Sequence, residues 1–377
     1  MVGGLHGDAL MEVAFRVDAS TLIGSGHVMR CLTLADALAE AGARCFFVMR
    51  QKPGSLEGAV RSRGHQVLML SSGGAEQSAS HSESEPSHTG WLGVSWEADA
   101  SDTLQALKGI ELNWLVVDHY ALDHRWESQV RDCCRRLMAI DDLADRKHQC
   151  DLLLDQNLGR EPHDYDGLVP IHAERLIGSD YALLRPEFSR ARALSVEKRK
   201  TREPGNILVS MGGVDAANVT GDVLRVLDTI GVVASCRVTV VVGAACPHID
   251  EVTDQAESMR LDTRVVVNAN NMAELMSQAD LAIGAAGGSA WERCCLGLPS
   301  LLVVMADNQR PGAEALKRAG ASLSLGWPGA LEETLPRAMR EVLAAGRLLE
   351  MSQNAAAICD GLGVQRVADA LREGSDE

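Results

Sequence analysis

Apolar residues along this chain fall into short runs that alternate with longer stretches of helical spacing. "VAFRVDA" reads as a buried strand, and after it Val28, Cys31, Leu32, Ala35 and Leu38 recur every three or four residues until Gly42 stops the run, which predicts a helix from about His27. "CFFVM" follows at once as a second strand. Further strands are expected at "HQVLML", "WLVVD", "RLMAI" and "DLLLD", separated by helix-like stretches. That alternation builds a parallel sheet with helices on both faces.

A fresh strand-loop-helix series opens at "NILVSMGG" and runs through "RVTVVVG", "TRVVVN", "DLAIGAAGG" and "SLLVVM". The expected fold class is therefore α/β, with two Rossmann-like, doubly wound domains facing across a cleft and ligand groups at the carboxyl ends of their strands. The boundaries read as a first domain over 11–180, a charged hinge or linker over 181–205, and a second domain over 206–377 on which the terminal helices pack. Between Ser71 and His88 the text becomes "SSGGAEQSASHSESEPSH", without large apolar residues, so a flexible insertion is expected over about 71–90. The first ten residues read as an extension, with Met11 an alternative start.

Composition narrows the partners. The chain has 377 residues, 46% of them apolar, enough for two cores, and its formal charge of -16 argues against a protein that grips nucleic acid. Ten cysteines include the adjacent pairs Cys133-Cys134 and Cys294-Cys295 but no CxxC, which points to reduced thiols in the cytoplasm. No Cys/His spacing fits a zinc site, and no apolar run reaches the ~18 residues of a membrane span. We therefore expect no metal, no cofactor and no membrane span, in a monomer or weak oligomer.

Candidate chemistry concentrates in six loops. In "IGSGHVMR", Gly24, Ser25 and Gly26 let the backbone turn tightly, and the helix start beyond them offers N–H groups to an anion. The loop lacks both the third glycine of GxGxxG and the GK[ST] of a P-loop. The plain alternative is ordinary strand-helix packing. His27 is either a cap or core residue, or a base kept neutral by the helix N-terminus. "VVDHYALD" and "IDDLADRKHQCDLLLDQN" follow strand ends, so Asp118, Tyr120, Asp141, Asp142 and Arg146 become candidates, although strand ends carry polar turn residues in any case. In "SMGGVDAANVT", Gly212 and Gly213 form a second glycine turn. In "GAAGGSAWERCCLGLP", Gly287 and Gly288 precede Ser289 and Glu292, three apart on one helix face. That pair suits a diphosphate and a ribose, or equally a capping box. Asn308 and Gln309, in "ADNQ", carry amides able to read sugar hydroxyl or acetamido groups.

The set "RVDASTLIGSGHVMRCLTLADAL", "VVDHYALD", "IDDLADRKHQCDLLLDQNL", "LLRPEF", "SMGGVDAANVT", "AAGGSAWERCCLGLP" and "ADNQ" resembles the UDP-sugar hydrolases of pseudaminic acid biosynthesis, over nearly the whole chain from about Val13. Those enzymes cleave UDP-2,4-diacetamido-2,4,6-trideoxy-β-L-altrose and are related to the GT-B glycosyltransferase that makes lipid II. The resemblance implies a GT-B-like fold, an inverting UDP-sugar hydrolase, and His27 as the catalytic residue. It also implies a UDP site formed by Gly212, Gly213, Gly287, Gly288, Ser289 and Glu292. The sugar is expected at Asp18, Gly24, Ser25, Gly26, Tyr120, Asn308 and Gln309. A glycosyltransferase, a UDP-sugar 2-epimerase and a non-catalytic nucleotide-sugar binder are the rival readings.

Overall fold

The computed structural model describes residues 10–72, 86, 88–200, 205–230 and 236–375. Most of the expected insertion over 71–90, and all but the last of the first ten residues, lie outside the described residues. The chain divides into two compact units: 1–155, 161–177 and 364–377 form the first, and 156–160 with 178–363 form the second.

The first unit holds β1 (Glu12–Val17), α1 (Gly26–Glu40), β2 (Arg44–Arg50), α2 (Glu57–Ser62), β3 (Gln66–Leu70), α3 (Trp96–Ala106), β4 (Leu112–Asp118), α4 (His124–Val130), β5 (Cys134–Ile140), β6 (Leu152–Asp155) and β7 (Glu174–Ile177). Its strands pair in parallel in the order β3-β2-β1-β4-β5-β6-β7. The second unit holds α5 (Pro186–Arg199), β8 (Asn206–Ser210), α6 (Val219–Ile230), β9 (Arg237–Val242), α7 (Ile249–Ser258), β10 (Asp262–Val267), α8 (Met272–Gln278), β11 (Leu281–Ala285), α9 (Ser289–Cys295), β12 (Ser300–Val303), α10 (Arg310–Arg318), β13 (Ser322–Gly326), α11 (Leu331–Val342) and α12 (Arg347–Ile358). The order of its parallel strands is β10-β9-β8-β11-β12-β13. Both sheets thus run outward in two directions from a central pair, β1/β4 and β8/β11. Loops leaving that pair diverge to opposite faces and open a crevice at the carboxyl ends.

Burial on both faces explains the strand composition. In β8, Ile207 and Val209 enter one core while Leu208 enters the other, and in β11 Leu281 and Ile283 oppose Ala282 in the same way. Each unit therefore has the doubly wound α/β layering expected from the sequence.

Two boundaries differ from the sequence reading. The stretch expected to be a linker over 181–205 contains helix α5, whose Phe188 and Ser195 are buried. The chain end, expected on the second domain, forms α13 (Gly363–Glu373) and clusters with the first unit from Val364 onward. The physical reason is local: Val364, Val367, Ala368 and Leu371 make an apolar stripe, and the buried Trp114 of β4 donates its indole N–H to Leu371 O at 2.8 Å and to Ser375 Oγ at 3.0 Å.

Candidate active site

His27 is the second residue of α1, whose first turn begins where the loop from β1 ends. Ser20 shapes that loop, with its Oγ accepting from the N–H groups of Leu22 and Ile23 at 3.2 and 3.0 Å. Gly24 follows at φ +82°, a backbone region closed to most side chains. Ser25 stands at the N-cap but its side chain makes no capping hydrogen bond, so the first N–H groups of α1 are left to solvent or a ligand.

Asp118, the last residue of β4, meets His27 at the central strand pair: His27 Nδ1 lies 2.6 Å from Asp118 Oδ1. Burial alone would raise the Asp118 carboxyl, but Arg30 first and then His27 outweigh it and hold it far below the usual carboxylate range. Ionised Asp118 can only accept, so Nδ1 carries a proton, and in the neutral imidazole the lone pair then falls on Nε2. Among the described residues Nε2 has no hydrogen-bond partner, and the His27 side chain keeps 11% exposure over a fully buried Asp118.

Arg30, one helical turn after His27, completes the arrangement. Its Nε and Nη2 donate to Asp118 at 2.6 and 2.7 Å, and its Nη1 donates to Asp142 Oδ1 at 3.0 Å. Tyr120 donates its hydroxyl to Asp142 Oδ2 at 2.7 Å and sets its ring edge-on to His27, centroids 4.7 Å apart. Trp91 stacks on Tyr120 at 5.5 Å, and His88 stands 4.5 Å from Trp91. Lys52 fixes that segment by donating to the carbonyls of Trp91 and Leu92. The result is a half-open aromatic wall beside a histidine of defined tautomer.

Several expected ligands are otherwise engaged. Asp18 is buried, pairs with Arg16 at 2.8 Å and accepts from the N–H of Arg50 at 2.7 Å. It holds β1 to β2 rather than facing a substrate, which corrects the expected sugar contact. Tyr120 is also buried, with its hydroxyl committed to Asp142, so it supports His27 and offers no free hydroxyl to a sugar. Asp141 and Asp142 take different partners, Asp141 binding Arg146 at 2.7 Å, as alternation along an extended segment requires.

In the second unit the two glycine turns are unequal. Asp215 accepts from the N–H groups of Val219 and Thr220, both at 2.9 Å, so α6 is already capped by a carboxylate. Gly212 takes φ +104°, and a Cβ on Gly243 would lie 2.1 Å from Gly213 O. These glycines allow close backbone packing, and the donors expected for a diphosphate beside them are occupied. At α9 the reverse holds: Gly288 is the N-cap and no side chain caps it, so the Ser289–Glu292 capping box is not formed. Glu292 instead approaches Arg185 at 3.5 Å, and burial raises its carboxyl while Arg185 and Arg293 counteract only in part. Gln309 is a brace, with its Oε1 accepting from Met305 N–H at 3.1 Å and its amide beside Gly287. Asn308 is exposed on the preceding turn. Arg30 and Trp91 went unmarked in the sequence. The i, i+3 spacing from His27 was a signal for Arg30, and none marked Trp91.

Among the described residues no helix is long and apolar enough to cross a membrane. Residues 207–370 match the glycosyltransferase family 28 C-terminal domain. The chain is 32% identical over 198 residues to the spore coat polysaccharide biosynthesis protein SpsG of Bacillus subtilis, covering 52% of this chain and 57% of that one. It thus spans little more than half the length of that relative. It is 24% identical over 312 residues to the UDP-2,4-diacetamido-2,4,6-trideoxy-beta-L-altropyranose hydrolase of Campylobacter jejuni, covering 82% of this chain and 97% of that one. Among solved structures, MurG of Acinetobacter baumannii superposes with a TM-score of 0.69 at 15% identity, covering 96% of this chain and 99% of that one. The chain therefore has a two-domain α/β, GT-B-like fold, with a family 28 C-terminal domain match in its second half and a resemblance to the UDP-sugar hydrolase along most of its length.

Proposed function

We propose that this protein hydrolyses a UDP-linked diacetamido trideoxy sugar, of the UDP-2,4-diacetamido-2,4,6-trideoxy-β-L-altrose type, to UDP and free sugar in pseudaminic acid biosynthesis. The observation that carries this reading is His27 with its Nδ1–H fixed by ionised Asp118 and its Nε2 open. On this reading Nε2 takes a proton from water as the water oxygen attacks the anomeric carbon. The bond from that carbon to the β-phosphate oxygen breaks, and UDP leaves with the electron pair. Attack from the face opposite the leaving group inverts the configuration. UDP departs readily, so no strong general acid is needed, and N–H groups and hydroxyls at the second domain's Gly287–Ser289 turn stabilise the growing charge. Glu292 takes the ribose, and Asn308 reads the sugar. Similarity to the Campylobacter hydrolase supports this choice.

A second reading, a GT-B glycosyltransferase, is favoured by the family 28 domain match, and in it an acceptor hydroxyl replaces water. Incubation with the UDP-sugar in H2 18O, without acceptor, separates the two. Hydrolysis predicts UDP and a reducing sugar, with no label in the β-phosphate. Release of UDP only when an acceptor is added would establish the transferase. His27→Asn should keep UDP affinity within about 3-fold while kcat falls at least about 10²-fold, as for loss of a general base. A folded variant that turns over at the wild-type rate would end the assignment.

A further inference from the structure

Buried arginines of the first domain are each neutralised. Arg16 meets Asp18 and Asp99, Arg50 meets Asp99, and Arg146 meets Asp141. In the second domain Arg199 donates to the carbonyls of Met276, Ala279 and Leu296, at the carboxyl ends of α8 and α9, where helix carbonyls supply negative charge. Arg293 differs from all of them. It is 2% exposed, and among the described residues no carboxylate oxygen lies within ion-pair distance of its guanidinium. Its Nη2 donates to Ala285 O at 2.7 Å, its Nη1 donates to Ser289 Oγ at 3.1 Å, and its Nε has no partner. Ala285 closes β11 and Ser289 opens α9, so apart from that one carbonyl the guanidinium lies beside the amino end of the helix, whose N–H groups do not stabilise a cation. A buried charge so placed is costly unless an anion joins it.

The bond to Ser289 has a directional effect. A hydroxyl that accepts from Arg293 must aim its own hydrogen elsewhere, and among the described residues that O–H meets no acceptor. Gly288 is exposed and Ser289 half-buried, so the O–H is turned toward the open side of the turn.

We propose that Arg293 is a positioning residue for a bound diphosphate: among the described residues no carboxylate pairs directly with its buried guanidinium, and its hydrogen bond makes Ser289 an obligate donor to a phosphate oxygen. The inference rests on the nucleotide-sugar reading above and adds to it a residue that touches no substrate. Burial pushes the Arg293 guanidinium down to about 10, and the neighbouring Cys294 and Glu292 offset that only in part.

Titration of wild type and Arg293→Met with uridine, UMP, UDP and inorganic pyrophosphate tests it. UDP and pyrophosphate affinity should fall at least about 30-fold in the variant and uridine affinity less than about 3-fold, because only the phosphates carry the charge. The ligand-free variant should melt no lower than wild type, yet gain less from UDP. Ser289→Ala should give a smaller loss of the same kind, and the double variant should lose less than the two single losses combined. If Arg293→Met does not fold, Ser289→Ala carries the same uridine-against-UDP comparison. An equal loss for uridine and UDP would reduce Arg293 to a structural residue and overturn the proposal, as would unchanged UDP affinity. Failure of the wild type to bind either diphosphate would overturn it too. Wild type that binds both diphosphates in this pattern but releases no UDP from the UDP-sugar would refute the hydrolase and leave Arg293 standing.

Discussion

Raising the pH from about 6 to about 10 should weaken the first domain through one buried side chain, His148. Its Nδ1 lies 2.7 Å from Glu127 Oε1 and its Nε2 3.8 Å from Asp141 Oδ2, and all three groups are enclosed. Burial alone would depress this imidazole, but the carboxylates of Glu127 and Asp141 outweigh it and raise the pKa from 6.5 to about 9. The folded value exceeds the unfolded one, so the contribution is complete below about 6.5 and is lost as the pH rises through about 9. A difference of 9 - 6.5 = 2.5 units, at about 1.4 kcal/mol per unit, gives about 3 kcal/mol. Urea denaturation of wild type and His148→Gln across this range provides the assay. Glutamine can still donate to Glu127 but does not titrate, and subtraction removes the cysteines, several of whose thiols burial holds above their ordinary value in the folded chain and which ionise in this range once unfolded. Wild type should lose about 3 kcal/mol more than the variant. Parallel stability profiles, or NMR showing His148 neutral at pH 7, would refute the argument.

Asp118→Asn should lower kcat by about 10²- to 10⁴-fold with UDP affinity little changed, since the amide no longer dictates the His27 tautomer; steady-state and binding measurements on one preparation check this. Asp215→Ala should destabilise the second domain by about 1 to 2 kcal/mol through loss of the α6 cap, leaving UDP affinity intact; a marked fall in UDP affinity would restore the Gly212–Gly213 turn as a phosphate site. Trp114→Phe should cost about 1 kcal/mol and speed amide exchange in α13, whose Leu371 carbonyl it releases; unchanged exchange there would deny that the indole secures the helix.

Runs such as "CFFVM" and "RVTVVV" were legible because a strand buried on both faces has few other sequences open to it. β7 "ERLI" and β13 "SLSLG" were not, since edge strands of four or five residues mix polar and apolar positions. Helix α5 was read as a linker because its sequence is rich in charge, and its Arg192 and Arg199 act by reaching carbonyls that only the folded domain brings near. At the site, the glycine turn exposed His27 to view, but its partner Asp118 is 91 residues away and only the sheet order joins them. Asp18 and Tyr120 show the limit from the other side. A polar residue at a strand end announces the end of the strand, and whether it faces a ligand depends on Arg16 or Asp142 arriving first.

The placement of α13 with the first domain bears on how the chain is made. Emerging from the ribosome, β1 to β7 are complete after Ile177, yet the helix that accepts the Trp114 indole N–H is translated only after the whole second domain. The half that is synthesised first thus waits for a helix made after the second domain, and a nascent chain holds an open apolar patch around β4 until α13 appears. A fragment ending anywhere before Leu371 would keep that patch uncovered, so expressing the first domain alone requires grafting α13 back onto it.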